Sequence, residues 1–432
     1  MKRLLIIAII CTAVSLKSCG SRNAGPAGTP PVRMQVFCLD NPPLIGVFNE
    51  MEIFEGGISG LAYIPGTDLE FYLVNDRGPN LVATAHPLAD GENVKIFPFP
   101  GYAPKIFRAR LESDRFFIID EMPLRKPDGE TVTGLPFPGS LDMNREIAWK
   151  DLEATPAGED TWGIDAEGIA IGHDNDFWIA DEYRTSIWNV DARTGITRAI
   201  WGPEPVNEYY RTIDTVFKYR RPNRGFESVA ITPSGLVYAI LQSPMWFPGP
   251  EVSEESRLVR MLELDPGTGR TRMFLYEHAD ASDNVKVRDW KVADMVAIND
   301  TEFLVIEHAT RGNSQFMDVY RIDISKATPL KGEDYGGYTP EQLNDAQGAM
   351  QHGIRVVAKT HLFDMIAAGY DPELDKPEGI TIIDERTIAI INDNDYDIDA
   401  PYNDAHIIKP GHQTCLYLFS LPEHLTLAGV VD

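Results

Sequence analysis

Acidic side chains recur at matching points of five β-rich stretches in this sequence. The first run of each stretch carries a hydroxyl or carboxylate residue, one of Ser59, Glu167, Glu227, Asp294 and Glu378. The second run ends in Asp76, Asp181–Glu182, Gln242, Glu307–His308 or Asp393. Burying several carboxylates together is costly unless a cation or protons neutralise them. Oxygen ligands suit calcium or magnesium, so the recurrence predicts a cation site.

A cation held by carboxylates could also activate water for hydrolysis. We assign cation binding, with calcium as the first choice, to Asp76, Asp181, Asp294, Glu307, Glu378 and Asp393. We assign general acid and base chemistry to Glu167, Glu182, Glu227 and His308. The sequence has no G-x-S-x-G nucleophile motif, and no organic cofactor is expected. Taken singly, a strand-end aspartate also fits a turn cap, so only the recurrence favours a site.

Arginines follow three of the second runs and could bind an anionic substrate. Arg77 directly follows Asp76, Arg184 comes shortly after Glu182, and Arg311 comes shortly after His308. A guanidinium beside a bound cation suits a phosphate or carboxylate group. The alternative is that each arginine pairs with a neighbouring carboxylate. If the arginines bind substrate, a small anionic ester is the predicted partner of this site.

The elements that must position these residues are β-hairpins. Each stretch has two β-rich runs separated by a turn of the Gly, Asp, Asn or Pro-Ser-Gly type. The five stretches are Gly56–Gly78, Gly163–Tyr183, Arg224–Pro244, Trp290–Gly312 and Lys376–Asp395. Both ends of a hairpin lie at one edge of a sheet, so the carboxylates of each stretch are expected to meet.

Further strand-like runs between these hairpins complete four-stranded units. Repeated units of this kind are typical of an all-β β-propeller, whereas a β-sandwich would not demand the same polar signature in every hairpin. Because Lys105–Leu124 supplies additional strands, we predict six blades, closed by pairing of the N- and C-terminal strands. Helix is expected only at Lys359–Gly369 and within Thr339–Met350.

The N-terminal residues predict export. Lys2 and Arg3 precede an apolar run, and residues 1–18 are interpreted as a signal peptide. The following Leu16–Cys19 segment resembles the lipobox of bacterial lipoproteins, with Cys19 as the lipidated residue. Residues 19–31 then form a flexible tether, and residues 32–432 form one domain. The expected location is the cell envelope, at its periplasmic or outer-membrane face, with the lipid as the only membrane contact.

The net charge limits the possible partners of this protein, and the cysteines indicate how the ends of the domain are joined. The formal net charge of -26 repels phosphate backbones, so we exclude nucleic acid as a partner. A monomer is expected. Two cysteines remain once Cys11 is assigned to the signal and Cys19 to lipidation. Cys38 and Cys415 lie in the first and last strand-like runs and are predicted to form a disulfide.

The five stretches together resemble the phytase-like family, also described as having the esterase-like activity of phytase. The matching pieces are GGISGLAY with FYLVNDRG, DAEGIAI with FWIADEY, RGFESVAI with YAILQSP, ADMVAI with FLVIEHATRG, and PEGITII with AIINDND. The resemblance implies an exported propeller with ester or phosphoester hydrolase activity. This sequence departs from the family pattern at Gln242, where a glutamate is common, and at Asp395, where an aromatic residue is common.

Three functions remain compatible with these residues. The first is an exported hydrolase of a small ester or phosphoester that uses metal-bound water. The second is a non-catalytic surface-binding propeller in which the cation is structural. The third is a lactonase-like enzyme. All three use carboxylates and a cation, so the sequence does not separate them.

Overall fold

The computed structural model describes residues 32–139, 141–374, 376–400 and 407–427. The predicted signal peptide, the lipidation residue Cys19 and the tether lie outside these residues. Within the described part of the chain, no helix is long and apolar enough to cross a bilayer.

Most of the described chain is β-structure. The first thirteen strands are β1 (Arg33–Cys38), β2 (Leu44–Phe48), β3 (Met51–Phe54), β4 (Ile58–Tyr63), β5 (Glu70–Asn75), β6 (Leu81–Val82), β7 (Val94–Ile96), β8 (Lys105–Glu112), β9 (Arg115–Pro123), β10 (Ile147–Trp149), β11 (Ala166–Ile171), β12 (Asp176–Asp181) and β13 (Ser186–Asp191). The remaining strands are β14 (Thr197–Gly202), β15 (Tyr210–Thr212), β16 (Phe226–Ile231), β17 (Val237–Leu241), β18 (Leu258–Asp265), β19 (Arg270–Glu277), β20 (Lys291–Ala297), β21 (Glu302–Arg311), β22 (Ser314–Asp323), β23 (Ala358–Asp364), β24 (Pro377–Asp384), β25 (Thr387–Asn392) and β26 (Cys415–Ser420).

Helical structure is confined to short segments in the described residues. The one α-helix is α1 (Ala346–Gln351), which begins within the expected Thr339–Met350 region and ends one residue after it. The 3-10 turns are Asp142–Asn144, Thr215–Tyr219, Pro250–Glu254, Val287–Asp289, Glu341–Leu343, Pro372–Leu374 and Asp395–Asp397. The helix predicted over Lys359–Gly369 is wrong, because the first part of that segment pairs as β23 with β22. The available sheet edge therefore overrides the local helical pattern.

Five sheets of four or five strands contain the repeated hairpins of the described chain. Their strand orders are β4-β5-β8-β9, β11-β12-β13-β14-β15, β16-β17-β18-β19, β20-β21-β22-β23, and β24-β25-β26-β1. Their first strands contact one another in a closed cycle, β4 to β11, β16, β20, β24 and back to β4. Apolar faces of neighbouring sheets pack together, as Trp178, Ile240 and Phe303 do within one core. The arrangement is that of propeller blades around an axis.

The described residues therefore form five such sheets, not the six that were predicted. The strands β8 and β9, which had been counted toward an extra blade, pair with β5 and complete the first sheet. In the described chain, each of the first four sheets thus combines its own hairpin with the strands that follow it, and no further sheet of four strands is formed. Two smaller sheets, β2-β3 and β6-β7-β10, lie outside this repeat pattern.

The last sheet is built from both ends of the domain. Strand β1 runs antiparallel to β26, with Cys38 opposite Cys415. The two cysteines form a disulfide across a sequence separation of 377 residues. Pairing of the N-terminal strand with C-terminal strands therefore joins the ends of the ring.

Every inner strand has a register shift near its start. The shifts lie between Ile58 and Gly60, Ala166 and Ile169, Phe226 and Ser228, Val292 and Met295, and Pro377 and Ile380. The residues within these shifts include Ser59, Glu167, Glu227, Asp294 and Glu378. A β-bulge re-aims a side chain that regular pairing would place on one face of the sheet. The recurring acidic positions are therefore bulge positions.

Glycines beside three of these bulges let the inner strands approach each other closely. A Cβ on Gly60 would lie 2.8 Å from the backbone nitrogen of Ile169. A Cβ on Gly168 would lie 2.9 Å from the nitrogen of Val229, and one on Gly379 would lie 2.7 Å from that of Leu61. Each contact joins one sheet to the next, so these glycines set the spacing of the ring.

Replacement of Gly168 by alanine should destabilise the ring. The added Cβ has backbone on its far side that cannot rotate away, so the free energy of unfolding should fall by about 1–3 kcal/mol. The matched control is Gly101→Ala, because nothing lies within 4 Å of a Cβ there. Urea unfolding of both variants measures the difference, and equal stability would contradict the proposed close approach.

Loss of the disulfide should also destabilise the domain. The Cys38→Ser, Cys415→Ser double variant is expected to lose about 2–5 kcal/mol, because the unfolded chain regains the freedom of a very long loop. Thermal unfolding of oxidised protein and of the variant measures the loss. Mass spectrometry of a non-reduced digest is the direct check, and unlinked Cys38 and Cys415 peptides would refute the bond.

Candidate active site

A cavity of about 350 Å³ lies among the bulged ends of the inner strands. Its acidic lining residues are Asp76, Glu167, Glu182, Glu227, Glu378, Asp393 and Asp395. Its basic lining residues are Arg77, Lys95, Arg221, Arg224, Lys291 and Lys376. Seven carboxylates thus face six cationic groups, so the cavity carries both charges and is not simply acidic. The polar residues Ser59, Asn80, Asn223 and Gln242 also line it.

The repeat alignment placed six of its carboxylates at this cavity. Glu167, Glu227 and Glu378 come from bulges of the inner strands β11, β16 and β24. Asp76, Glu182 and Asp393 directly follow the second strands β5, β12 and β25. The hairpin argument therefore gave the correct edge of each sheet for these residues.

Two of the predicted cation ligands have structural contacts and do not line the cavity. Asp181 accepts a 2.6 Å hydrogen bond from Ser186 Oγ and a 3.1 Å bond from the Tyr183 backbone N–H. Asp294 accepts a 2.8 Å hydrogen bond from the backbone N–H of Ile380, on the next inner strand. Burial raises the pKa of Asp294 to about 8. Asp294 thus joins two neighbouring sheets at the ring.

The Glu307–His308 pair also lies outside the cavity lining. Glu307 is fully buried, pairs with Lys359, and accepts hydrogen bonds from the Tyr276 hydroxyl and the Ala279 N–H. His308 is buried and has no hydrogen-bond partner among the described residues. Burial and nearby cations lower its pKa well below the usual value, so the ring is neutral. Neither residue is placed to act on a molecule in the cavity.

Two predicted anion-binding arginines are used elsewhere. Arg184 donates to the carbonyls of Thr161, at 3.0 Å, and Gly163, at 2.7 Å, and its guanidinium stacks over Phe137. Arg311 forms an ion pair with Asp289, at 2.8 Å, away from the cavity lining. Arg184 Nε also lies 3.6 Å from Asp181 Oδ2, so the alternative that each arginine pairs with a neighbouring carboxylate describes both.

Arg77 lines the cavity but is already held by carboxylates. Its guanidinium lies 3.0 Å from Glu146 and 3.4 Å from Glu182, and it also pairs with Asp165. It stacks over the Tyr183 ring as well. Because these partners are buried, Arg77 is a counter-ion of the acidic wall, and it is less available for a substrate anion than the sequence suggested.

A turn that sequence reasoning missed carries the cationic wall. Residues 221–224 all line the cavity, and Arg221 and Arg224 bridge the turn. Arg224 donates to Ser243 Oγ at 2.6 Å, while Arg221 donates to the Arg288 carbonyl at 2.9 Å. Burial lowers the pKa of Arg224 to about 9. The Pro-Asn dipeptide flanked by arginines, Arg220–Gly225, was the signal that could have identified this element.

The side chain of Asn223 fixes this turn against the opposite wall. Its Oδ1 accepts a 3.2 Å hydrogen bond from Lys95 Nζ and another from Arg77. The cationic turn is thus connected directly to the counter-ion of the acidic wall. A substitution in the cationic turn should therefore shift the side chain of Arg77, and a substitution of Arg77 should shift the turn.

Asp165 is the second group that the repeat alignment missed. It is fully buried, and its ligand atoms lie within 4.8 Å of those of Glu167 and Glu182. Desolvation and repulsion from Asp165 raise the pKa of Glu167 well above its usual value and that of Glu182 to about 8. The cluster fits a cation because Glu182 Oε1 is buried without a hydrogen-bond partner in the described chain. Its position two residues before Glu167 was the available signal.

On another side of the cavity, Lys376 neutralises a separate acidic pair. Its ammonium lies 2.9 Å from Asp393 and also contacts Asp395. Burial raises the pKa of Asp393 to about 6, against the effect of Lys376. Asp395, the departure from the family pattern, therefore adds a carboxylate that already has a cation.

Comparison with known proteins gives one family and several distant similarities. The family model for phytase-like proteins, described as esterase-like activity of phytase, matches residues 54–396. An uncharacterized secreted protein of Arthroderma benhamiae is 26% identical over 194 residues, which is 37% of each chain. The match thus spans well under half of that fungal protein.

Among solved structures, similarity is low. A virginiamycin B lyase from Staphylococcus aureus is 10% identical with a TM-score of 0.32, covering 90% of this chain and 100% of that one. A PQQ-bound aldose sugar dehydrogenase from Streptomyces coelicolor is 12% identical with a TM-score of 0.31, covering 90% and 99%. At such scores these matches add nothing to the fold or the chemistry. The family match covers most of the chain and includes every repeated hairpin, and this protein therefore belongs to the phytase-like family.

Proposed function

We propose that this protein hydrolyses a small anionic ester or phosphoester in the cavity among the inner strands. The observation that carries the proposal is the juxtaposition of seven carboxylates and six cationic side chains around about 350 Å³. A cavity of this size suits a small molecule. Membership of a family described by esterase-like activity of phytase supports the same reaction class.

The cationic turn is the part of the cavity suited to the anionic group of the substrate. Arg221, Arg224 and Lys291 line the wall that this turn forms with the start of β20. Burial and repulsion from Arg288 lower the pKa of Arg221. A bound phosphate or carboxylate would offset that repulsion, so anion binding is favoured at this wall.

The acidic wall is suited to moving protons and to holding a cation. In hydrolysis, water adds to the phosphorus or acyl carbon, the ester bond breaks, and the leaving alcohol takes a proton. The attacking water also gives up a proton, and Glu227 is the candidate for moving these protons because its Oε2 has no hydrogen-bond partner among the described residues. Glu167 and Glu182 are the candidates for holding the cation. Calcium is the proposed cation, and it would polarise the ester and the attacking water.

We further propose that the protein is exported and anchored to the cell envelope by lipid on Cys19. The Leu16–Cys19 segment supports lipidation, and the similarity to a protein named as secreted supports export. The substrate would then be a small molecule outside the cytoplasm, encountered by a monomer.

The first test is a hydrolysis screen of wild type and Glu167→Gln. The substrates are p-nitrophenyl phosphate, bis-p-nitrophenyl phosphate, p-nitrophenyl acetate and a lactone, each with calcium and then with chelator. We expect turnover of a phosphoester or an ester by wild type, and loss of about 10²-fold or more in Glu167→Gln, because Glu167 is a candidate ligand of the cation that would polarise the ester and the water. The control is Glu112→Gln, an exposed glutamate at the end of β8.

The screen also separates the alternative functions. Turnover of the lactone alone would favour the lactonase-like reading over the proposed one. Absence of turnover for every substrate, by folded protein that is still stabilised by the same compounds, would favour a binding propeller. Equal rates for wild type and Glu167→Gln would remove this cavity from the chemistry.

The second test addresses the cationic turn. Arg221→Gln keeps a hydrogen-bond donor for the Arg288 carbonyl but removes a charge from the cavity. KM for the anionic ester should rise by about tenfold, in line with about 1.4 kcal/mol for a lost charged contact. Values of kcat/KM for neutral p-nitrophenyl acetate should stay within about twofold. A similar loss for both substrates would show that the arginine supports the fold instead.

A further inference from the structure

The three buried carboxylates of the acidic wall have the spacing of ligands to one ion. Ligand atoms of Asp165, Glu167 and Glu182 all lie within 4.8 Å of one another. Calcium binds oxygen at about 2.3–2.6 Å, so two oxygens on opposite sides of one ion are separated by roughly 5 Å. The observed spacing therefore fits a shared calcium ion without movement of the backbone.

A neighbouring glutamate independently indicates a missing partner at the same place. Glu227 lies on the next inner strand, lines the same cavity, and is only 3% exposed. Its Oε1 accepts a 2.6 Å hydrogen bond from Gln242, but its Oε2 has no partner among the described residues. Buried carboxylate oxygens are normally hydrogen-bonded or bound to ions, so an unpartnered one beside the cluster points to a ligand.

The fixed cations compensate this part of the wall only in part. Arg77 pairs with Asp165 and Glu182, and although it lies near Asp165 Oδ2, that oxygen has no hydrogen bond of acceptable geometry. Among the described residues, Glu182 Oε1 and Glu227 Oε2 are buried without a hydrogen-bond donor. Like-charged carboxylates therefore meet at the cavity side of the cluster, where a divalent cation would lower their repulsion.

We propose that Asp165, Glu167 and Glu182 bind one calcium ion at the cavity side of the acidic wall, with Glu227 as a nearby oxygen donor. This assignment deepens the proposed function, and it differs from the ligand set inferred by repeat alignment. Glu378 and Asp393, which that set included, belong to the Lys376 side of the cavity. Calcium takes six to eight oxygens, and water in the adjoining cavity would complete its coordination.

Calorimetric titration of the purified domain with calcium chloride, and separately with magnesium chloride, tests the assignment. A titration to roughly 10 mM covers even weak protein sites for calcium. We expect one calcium per chain, and affinity at least about tenfold weaker in Glu182→Gln and in Asp165→Asn, because ligand charge sets affinity. Glu378→Gln is the matched control from the same cavity, and its affinity should stay within about threefold of wild type. Circular dichroism verifies that each variant is folded.

The outcomes are decisive for the site and separate it from the hydrolase proposal. No heat of binding for wild type would overturn the site, as would equal weakening in Glu182→Gln and Glu378→Gln, which would indicate a diffuse cation atmosphere. Equal affinity for magnesium would overturn the calcium assignment. If Asp165→Asn does not fold, Glu167→Gln replaces it. Selective calcium binding without hydrolysis in the screen would leave the site intact while refuting the proposed function.

Discussion

The free-energy cost of burying carboxylates around one axis is the constraint on which the rest of this structure depends. Each inner strand bears a bulge at the same height, and three of the bulges direct glutamates into one cavity. Desolvation, with repulsion between carboxylates, raises the pKa of Glu378 to about 8, as it does for Glu182. Such a site persists only because the surrounding sheets determine its geometry, since each carboxylate alone would be more stable in water.

Lysine and arginine side chains offset part of this electrostatic cost, but they are distributed unequally around the cavity. Lys376 serves the Asp393 and Asp395 side, whereas Arg77 serves the acidic wall from behind, with Asn223 linking it to the cationic turn. At the acidic wall, Glu182 Oε1 and Glu227 Oε2 remain without a hydrogen-bond donor within the described residues. Charge is therefore compensated more fully on the Lys376 side of the cavity than at the acidic wall, where we propose that a cation binds.

The repeat in the sequence predicted much of this arrangement, since period and turn chemistry are local properties. The all-β sheets, the hairpin edges that carry Glu167 and Glu227, and the pairing of first and last strands all followed from it. The predicted number of blades was wrong because the sequences of β8 and β9 do not show whether these strands begin a new blade or complete the previous one. Their pairing with β5 shows that they complete it. The predicted roles of Asp294, Glu307 and Arg184 at the cavity were wrong, because each side chain has a structural partner elsewhere. Asp294 binds a backbone N–H, Glu307 binds a lysine, and Arg184 binds carbonyl groups, and the spacing of residues in the sequence does not reveal these partners. Asp165 was missed because it lies just outside the aligned strand.

The junction of β1 with β26 also sets an order of events during synthesis. The ribosome makes β1 before any other strand of the domain, yet its partner is the last strand to appear. The four preceding sheets can assemble in chain order while β1 remains unpaired. An unpaired strand exposes backbone N–H and C=O groups that can pair with other chains. Completion of the ring therefore depends on keeping the first strand available until the last strand has been made.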